Sequence, residues 1–185
     1  MAPTYSTAAT LGSIAPDFTL PGVDGKNYSL ENFKDKKALL VIFMCNHCPY
    51  VIAVQGRINE LAKNYQGKGL AVVGINPNDP EKYPEDSFDA MQVRAREIGY
   101  VFPYVQDVTQ KVAKSFDAVC TPDPYLYENV DGEFVLKYRG RIDDSWKDPA
   151  AVKSRDLATA IEAVLGSQPL KIEQIPSMGC SIKWK

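Results

Sequence analysis

Two cysteines, Cys45 and Cys48, bracket the chain's only histidine in the run Cys45-Asn46-His47-Cys48-Pro49. Thiols at this spacing either close a small disulfide in reversible exchange or help hold a metal such as zinc. Zinc pairs usually sit in polar turns with a second pair elsewhere. Here residues 38–44, ALLVIFM, form an uninterrupted apolar run with β-branched and aromatic members, the pattern of a strand buried on both faces. After Pro49, which a first helical turn accepts, Val51, Val54, Ile58, Leu61 and Tyr65 recur at helical spacing. The pair therefore stands where a buried strand hands over to an amphipathic helix, a context that favours dithiol chemistry over metal binding.

A helix start presents unpaired N–H groups and partial positive charge, which lower the pKa of a thiol placed there. A thiolate so stabilised attacks near neutral pH and leaves readily. Cys45 is expected to be the ionised, exposed nucleophile, with Cys48 about one turn further on and beneath it, resolving the mixed disulfide that Cys45 forms with a partner. His47, if protonated, would favour the Cys45 thiolate. No bound cofactor is needed, because electrons pass between the protein's own sulfurs and a protein or small-molecule thiol or disulfide. An external reductant must reset the cycle. The competing reading is a metal carrier built from Cys45, Cys48 and one further cysteine or His47.

The elements that must position this pair are legible along the chain. Residues 16–33 read as a small hairpin turning at Asp24-Gly25, with Phe18 and Leu20 on one side. Gly67 and Gly69 stop the helix that follows Pro49, and Leu70–Ile75 is a second buried strand. Helices are expected over 88–98, capped by Ser87, over 109–116 and over 154–165, with a short extended piece at 101–105. Tyr125–Asn129 and Phe134–Tyr138 flank an Asp131-Gly132 turn, the strongest hairpin signal present. This order predicts a mixed central sheet with helices on both faces. A tail of about twenty residues carries Ile172, Ile175, Ile182 and Trp184 and is expected to pack.

Composition sets outer bounds. The chain has 185 residues, 45% hydrophobic and 24% charged, with 21 Lys and Arg against 23 Asp and Glu. One domain is the default, and a cationic nucleic-acid-binding surface is disfavoured. No apolar run is long enough to span a membrane. Four cysteines are too few for a disulfide-stapled scaffold, and the N-terminus does not read as a secretory signal, so a reducing, cytoplasmic setting is expected. The acidic cluster of Glu81, Glu85 and Asp86 reads as a solvated loop, and the adjacent Asp143 and Asp144 specify no reaction by themselves.

The segments APDFTLPGVDG at 15–25, VIFMCNHCPY at 41–50 and CTPDPYLYENVDGEF at 120–134 resemble the thioredoxin-fold superfamily. More closely, with the tail PSMGCSIKW, the chain is similar to the peroxiredoxin-like branch grouped with thiol-disulfide oxidoreductases of the cytochrome-maturation type. The resemblance implies a thioredoxin fold with an N-terminal β-hairpin extension, occupying residues 12–166, and a tail, 167–185, packed on the same domain. It places the family's cis-proline on Pro122, which would turn the backbone of Thr121 so that it can pair with an extended substrate. Two departures stand out. Met44 replaces the tryptophan often found before the first active cysteine. The peroxiredoxin pattern Pro-x-x-x-Thr/Ser-x-x-Cys fails from either cysteine: counting back from Cys48 gives Cys45 and Val41, and from Cys45 gives Ile42 and Ala38. Peroxide removal, an antioxidant activity, is therefore the alternative to disulfide exchange. Cys120 and Cys180 are candidates for auxiliary redox roles or, equally, for simple packing.

Overall fold

A computed structural model of the chain describes residues 3–185. In chain order its elements are β1 (Thr4–Tyr5), β2 (Thr19–Pro21), β3 (Asn27–Ser29), β4 (Ala38–Phe43), α1 (Pro49–Tyr65), β5 (Leu70–Asn76), α2 (Phe88–Ile98), β6 (Tyr104–Gln106), α3 (Lys111–Ser115), β7 (Cys120–Thr121), β8 (Asp123–Val130), β9 (Glu133–Arg139), α4 (Asp156–Leu165) and β10 (Met178–Ser181). The central sheet has the order β6-β5-β4-β8-β9. Strands β4, β5 and β6 run parallel, β8 runs antiparallel to β4 and β9 antiparallel to β8, so the sheet is mixed. A parallel neighbour cannot be reached by a tight turn, and α1 supplies the crossover from β4 to β5.

Both faces of β4 are covered, which explains its unbroken apolar run. Leu40 and Ile42 pack with Val54 and Ile58 of α1, Met91 of α2 and Leu157 and Ile161 of α4. Leu39, Val41 and Phe43 face the other way, onto Phe18 and Leu20 of the β2–β3 hairpin and Ala113 of α3. Ser87 caps α2 as its sequence predicts, its Oγ accepting the Ala90 N–H at 3.4 Å. Asp131 and Gly132 both take positive φ, the conformation that a two-residue hairpin turn requires.

The tail does more than pack. Strand β10 pairs antiparallel with β7 on one side and with β1 on the other, forming a second, three-stranded sheet. Periodicity does not reveal β1 or β7, because two residues carry no repeat. Ile182 is buried in the β2–β3 side of the core, while Trp184 packs at its edge.

Candidate active site

The segment joining β4 to α1 is held from several directions. The Met44 N–H extends the ladder by donating to Ile75 O at 2.9 Å. Met44 lies over Gly74, where a Cβ would come within 2.7 Å of its sulfur. Asn46 is tied at three points: its N–H donates to Asp86 Oδ1 at 2.7 Å, its amide nitrogen to Glu85 O at 2.8 Å, and its amide oxygen accepts from Tyr104 at 3.0 Å. Asp86, which the sequence reading placed in a solvated loop, is fully buried. It also accepts from Asn76 and Asn78 and meets His47 Nδ1 at 2.6 Å. Burial of such a charge is sustained by this full set of partners. Nothing in its local sequence separates it from Glu81 and Glu85; the signal is spatial.

Cys48 is the N-cap of α1 and Pro49 its first residue, so the pair does open the helix. The expected division of labour between the sulfurs is corrected. Cys45 is 2% exposed and Cys48 0%, so Cys45 is not an open nucleophile. Its thiol is pushed up, first by donating a hydrogen bond to Cys48, then by burial and by the Asp86 charge. Cys48 is lowered to about 5, first by that same hydrogen bond from Cys45 and then, against the cost of burial, by the Cys180 side chain and the N–H groups of Val51 and Cys180. The Val51 N–H points toward the sulfur without closing a capping bond. In its protonated form Cys48 donates to Thr121 O at 3.2 Å, so either protonation state has a partner. Of the two thiol protons, the one on Cys48 is the more easily lost, first because Cys45 donates to that sulfur, with the Asp86 charge beside Cys45 acting in the same sense.

His47 departs from its expected part as well. Its imidazole is bonded to Asp86 and stacked on Tyr83, rings 4° from parallel and 5.4 Å apart. The ring is thus held against that carboxylate, and Asp86 is among the charges that push the Cys45 thiol up.

The Thr121–Pro122 peptide bond is cis. Thr121 sits across from the pair, its Oγ1 3.4 Å from Cys45 Sγ. Just beyond, Asp123 and Arg139 form a buried ion pair at 2.8 Å, with the guanidinium over the Tyr125 ring. Burial raises the Asp123 carboxyl to about 6 despite Arg139. Sequence reasoning missed this pair, because alternation alone does not distinguish Arg139 from the polar residues around it. Cys120 is fully buried, and burial pushes its thiol up. Alternation along β7 turns it to the opposite face from Thr121, and among charges Asp123 bears on it ahead of Cys48 and Cys180. Cys180, on β10, is only half-buried and packs against the cluster containing Cys45 and Cys48. Asp143 pairs with Arg57, and Asp144 accepts the Lys153 N–H, so these two carboxylates make separate structural contacts.

Cys45, His47 and Asp86 bring three ligand atoms within 4.8 Å of one another. This set differs from the expected one in replacing Cys48 by Asp86. Both carboxylate oxygens already accept two donors each, so a cation would have to displace His47 or an asparagine from them. A cleft of about 190 Å³ runs beside Pro122, lined in part by Tyr5, Val54, Ile142, Trp146 and Met178. The larger cavity, about 690 Å³, lies between the hairpin and α2 and is lined by no thiol. Among the described residues, no helix is long and apolar enough to cross a membrane.

The family model described as AhpC/TSA matches residues 11–144. A Mycobacterium tuberculosis protein named "Putative peroxiredoxin" is 30% identical over 75% of this chain and 85% of its own. The thiol-disulfide oxidoreductase ResA of Geobacillus thermodenitrificans is 28% identical over 68% of this chain and 67% of its own. A solved structure of an uncharacterized conserved protein from Geobacillus kaustophilus is 44% identical, with a TM-score of 0.94 over 100% of this chain and 97% of that one, tail included. The cytoplasmic expectation is overturned by a further likeness. A secreted Mycobacterium tuberculosis disulfide oxidoreductase, described as homologous to E. coli DsbE, shares the fold with a TM-score of 0.57 and 18% identity over 79% of this chain and 95% of its own. A dithiol on this fold is thus compatible with an oxidising compartment, so cysteine usage does not fix the setting.

Proposed function

The chain belongs to the AhpC/TSA family, and on that premise we propose that it is a thiol-disulfide oxidoreductase working through Cys45 and Cys48. The observation that carries the reading is the thiol pair at the start of α1 facing Thr121, Cys45 Sγ 3.4 Å from its Oγ1 and Cys48 Sγ 3.2 Å from its carbonyl oxygen, with the Cys48 thiol lowered to about 5. A lowered thiolate is both attacking group and leaving group, and its protonated neighbour closes the disulfide and supplies the proton. Thr121 and Pro122 form the facing wall, and residues 12–166 carry the site while 167–185 cover it. Partners are protein or small-molecule thiols and disulfides, as the name of the ResA relative suggests.

The test is equilibration in glutathione redox buffers with trapping of free thiols. Wild type is expected to form a Cys45–Cys48 disulfide with a defined midpoint, lost in C45S and C48S, and to reduce insulin. Failure to form that disulfide at any buffer ratio would end the reading.

Peroxide reduction is a second reading with its own support. The hydroxyl absent from the peroxiredoxin spacing is supplied in space by Thr121 Oγ1 beside Cys45. The peroxiredoxin spacing itself fails when counted back from either Cys45 or Cys48, so disulfide exchange ranks first. A peroxide-consumption assay with a thiol donor separates the two. Turnover with peroxide that exceeds turnover with disulfides, and falls in T121V, would reverse the ranking.

A further inference from the structure

The tail strand brings a third thiol to the pair. In the antiparallel register of β10 with β7, Cys180 stands opposite Thr121 and Ser181 opposite Cys120. Cross-strand partners present their side chains on the same face. Cys180 therefore shares the face of Thr121, whose hydroxyl meets Cys45 and whose carbonyl meets Cys48, while Cys120 is turned away. The Cys180 thiol and N–H both face the Cys48 sulfur. Of the three clustered sulfurs, Cys180 is the one on a half-buried residue; the other two are enclosed.

The strand is fixed in this position rather than resting there. A Cβ on Gly179 would lie 1.9 Å from Thr121 O, so only glycine lets the tail approach so closely. Ser177 Oγ donates to Pro122 O at 2.6 Å and the Ile182 N–H to Val119 O at 3.0 Å, gripping β10 at both ends. Further on, Asp79 N–H donates to Lys183 O at 2.9 Å.

We propose that Cys180 is a third exchanging thiol, the sulfur through which an external disulfide reaches the enclosed Cys45–Cys48 pair. The proposal rests on the dithiol reading above. Cys180 attacks one sulfur of an external disulfide RSSR: the Cys180–S–S–R bond forms, the S–S bond of RSSR breaks, and the departing sulfur takes the Cys180 proton and leaves as RSH. Cys48 then attacks the Cys180 sulfur, forming Cys48–Cys180 and expelling the second RS⁻. Finally Cys45 attacks Cys48, closing Cys45–Cys48, and its proton passes to Cys180. The external disulfide gains two electrons, the pair loses two, and Cys180 ends as it began. Run backwards, the same steps oxidise two external thiols.

Glutathione disulfide is the probe. In C45S the last step is blocked, so peptide mapping after brief exposure is expected to find a Cys48–Cys180 disulfide. C180S is expected to reach the same Cys45–Cys48 midpoint as wild type, about tenfold or more slowly, as loss of the accessible attacking thiol requires. G179A, in which β10 cannot close on Thr121, is expected to slow exchange in the same way while keeping all thiols. A glutathione adduct on Cys48 of C45S with Cys180 free, or wild-type exchange rates in C180S, would overturn the third-thiol role while leaving the dithiol reading intact. Absence of the Cys45–Cys48 disulfide in wild type would instead remove the dithiol reading itself.

Discussion

Asp86 accepts the backbone N–H of Asn46 at 2.7 Å, which fixes a buried carboxylate beside the first cysteine of the pair. The carboxylate, forty residues away in sequence, adds to the hydrogen bond with Cys48 and to burial in pushing the Cys45 thiol up. D86N removes the charge and keeps the shape. Cys45 is then expected to ionise more easily, and its alkylation by iodoacetamide, followed by mass spectrometry, to extend to lower pH. The lost charged acceptor should also cost about 1–3 kcal/mol of stability. H47F keeps a ring against Tyr83 but leaves Asp86 without its Nδ1 partner. It is expected to move Cys45 reactivity the opposite way. Equal alkylation profiles in all three proteins would show that Asp86 does not govern Cys45.

The potential of the pair should report the ionised Cys48. A dithiol that takes up two protons with two electrons changes its potential by about 59 mV per pH unit, and one that takes up a single proton by about 30 mV. Since Cys48 is lowered to about 5 and Cys45 stays protonated, the shallower slope is expected between pH 6 and pH 8 in order-of-magnitude terms. A slope near about 59 mV throughout would mean that both thiols are protonated in the reduced protein.

The same group gives the reduced chain a pH-dependent stability. In the folded state Cys48 remains ionised down to about 5, whereas an ordinary thiol titrates near 9. Between these values the folded chain binds fewer protons than the unfolded one, so unfolding free energy rises with pH across the window. The contribution is complete above the ordinary thiol value and is lost as pH falls through about 5. Denaturant titrations at several pH values check this, with the oxidised protein, which has no Cys48 thiol to titrate, as the control.

The Asp123–Arg139 pair is expected to matter far more than surface pairs. D123A leaves a buried guanidinium without its carboxylate and should cost about 3–5 kcal/mol. Removing the exposed Lys34–Glu31 pair by K34A should change stability by less than about 1 kcal/mol. Similar losses in the two variants would contradict this ranking.

Much of the scaffold was legible in the chain because it rests on repeats. The unbroken run of β4 reflects cover on both faces, and α1, α2 and α4 follow the spacing of Val51 to Tyr65, Met91 to Ile98 and Leu157 to Val164. The hairpin of β8 and β9 follows from Asp131-Gly132, whose positive φ values a tight turn needs. The very short β1 and β7 were not legible, since each lacks a period and pairs with the distant β10.

The amino-acid order alone thus determined that a Cys-x-x-Cys-Pro segment would open a helix after a buried strand, and so where exchange chemistry would reside. Tertiary structure decided that both sulfurs of the pair are enclosed, which groups surround them and that a half-buried third cysteine packs beside them. Charge and desolvation act through space, and the groups responsible, Asp86, Thr121 and Cys180, come from three separate parts of the chain. No local pattern of residues encodes their meeting; the folded sheet and its returning tail bring it about.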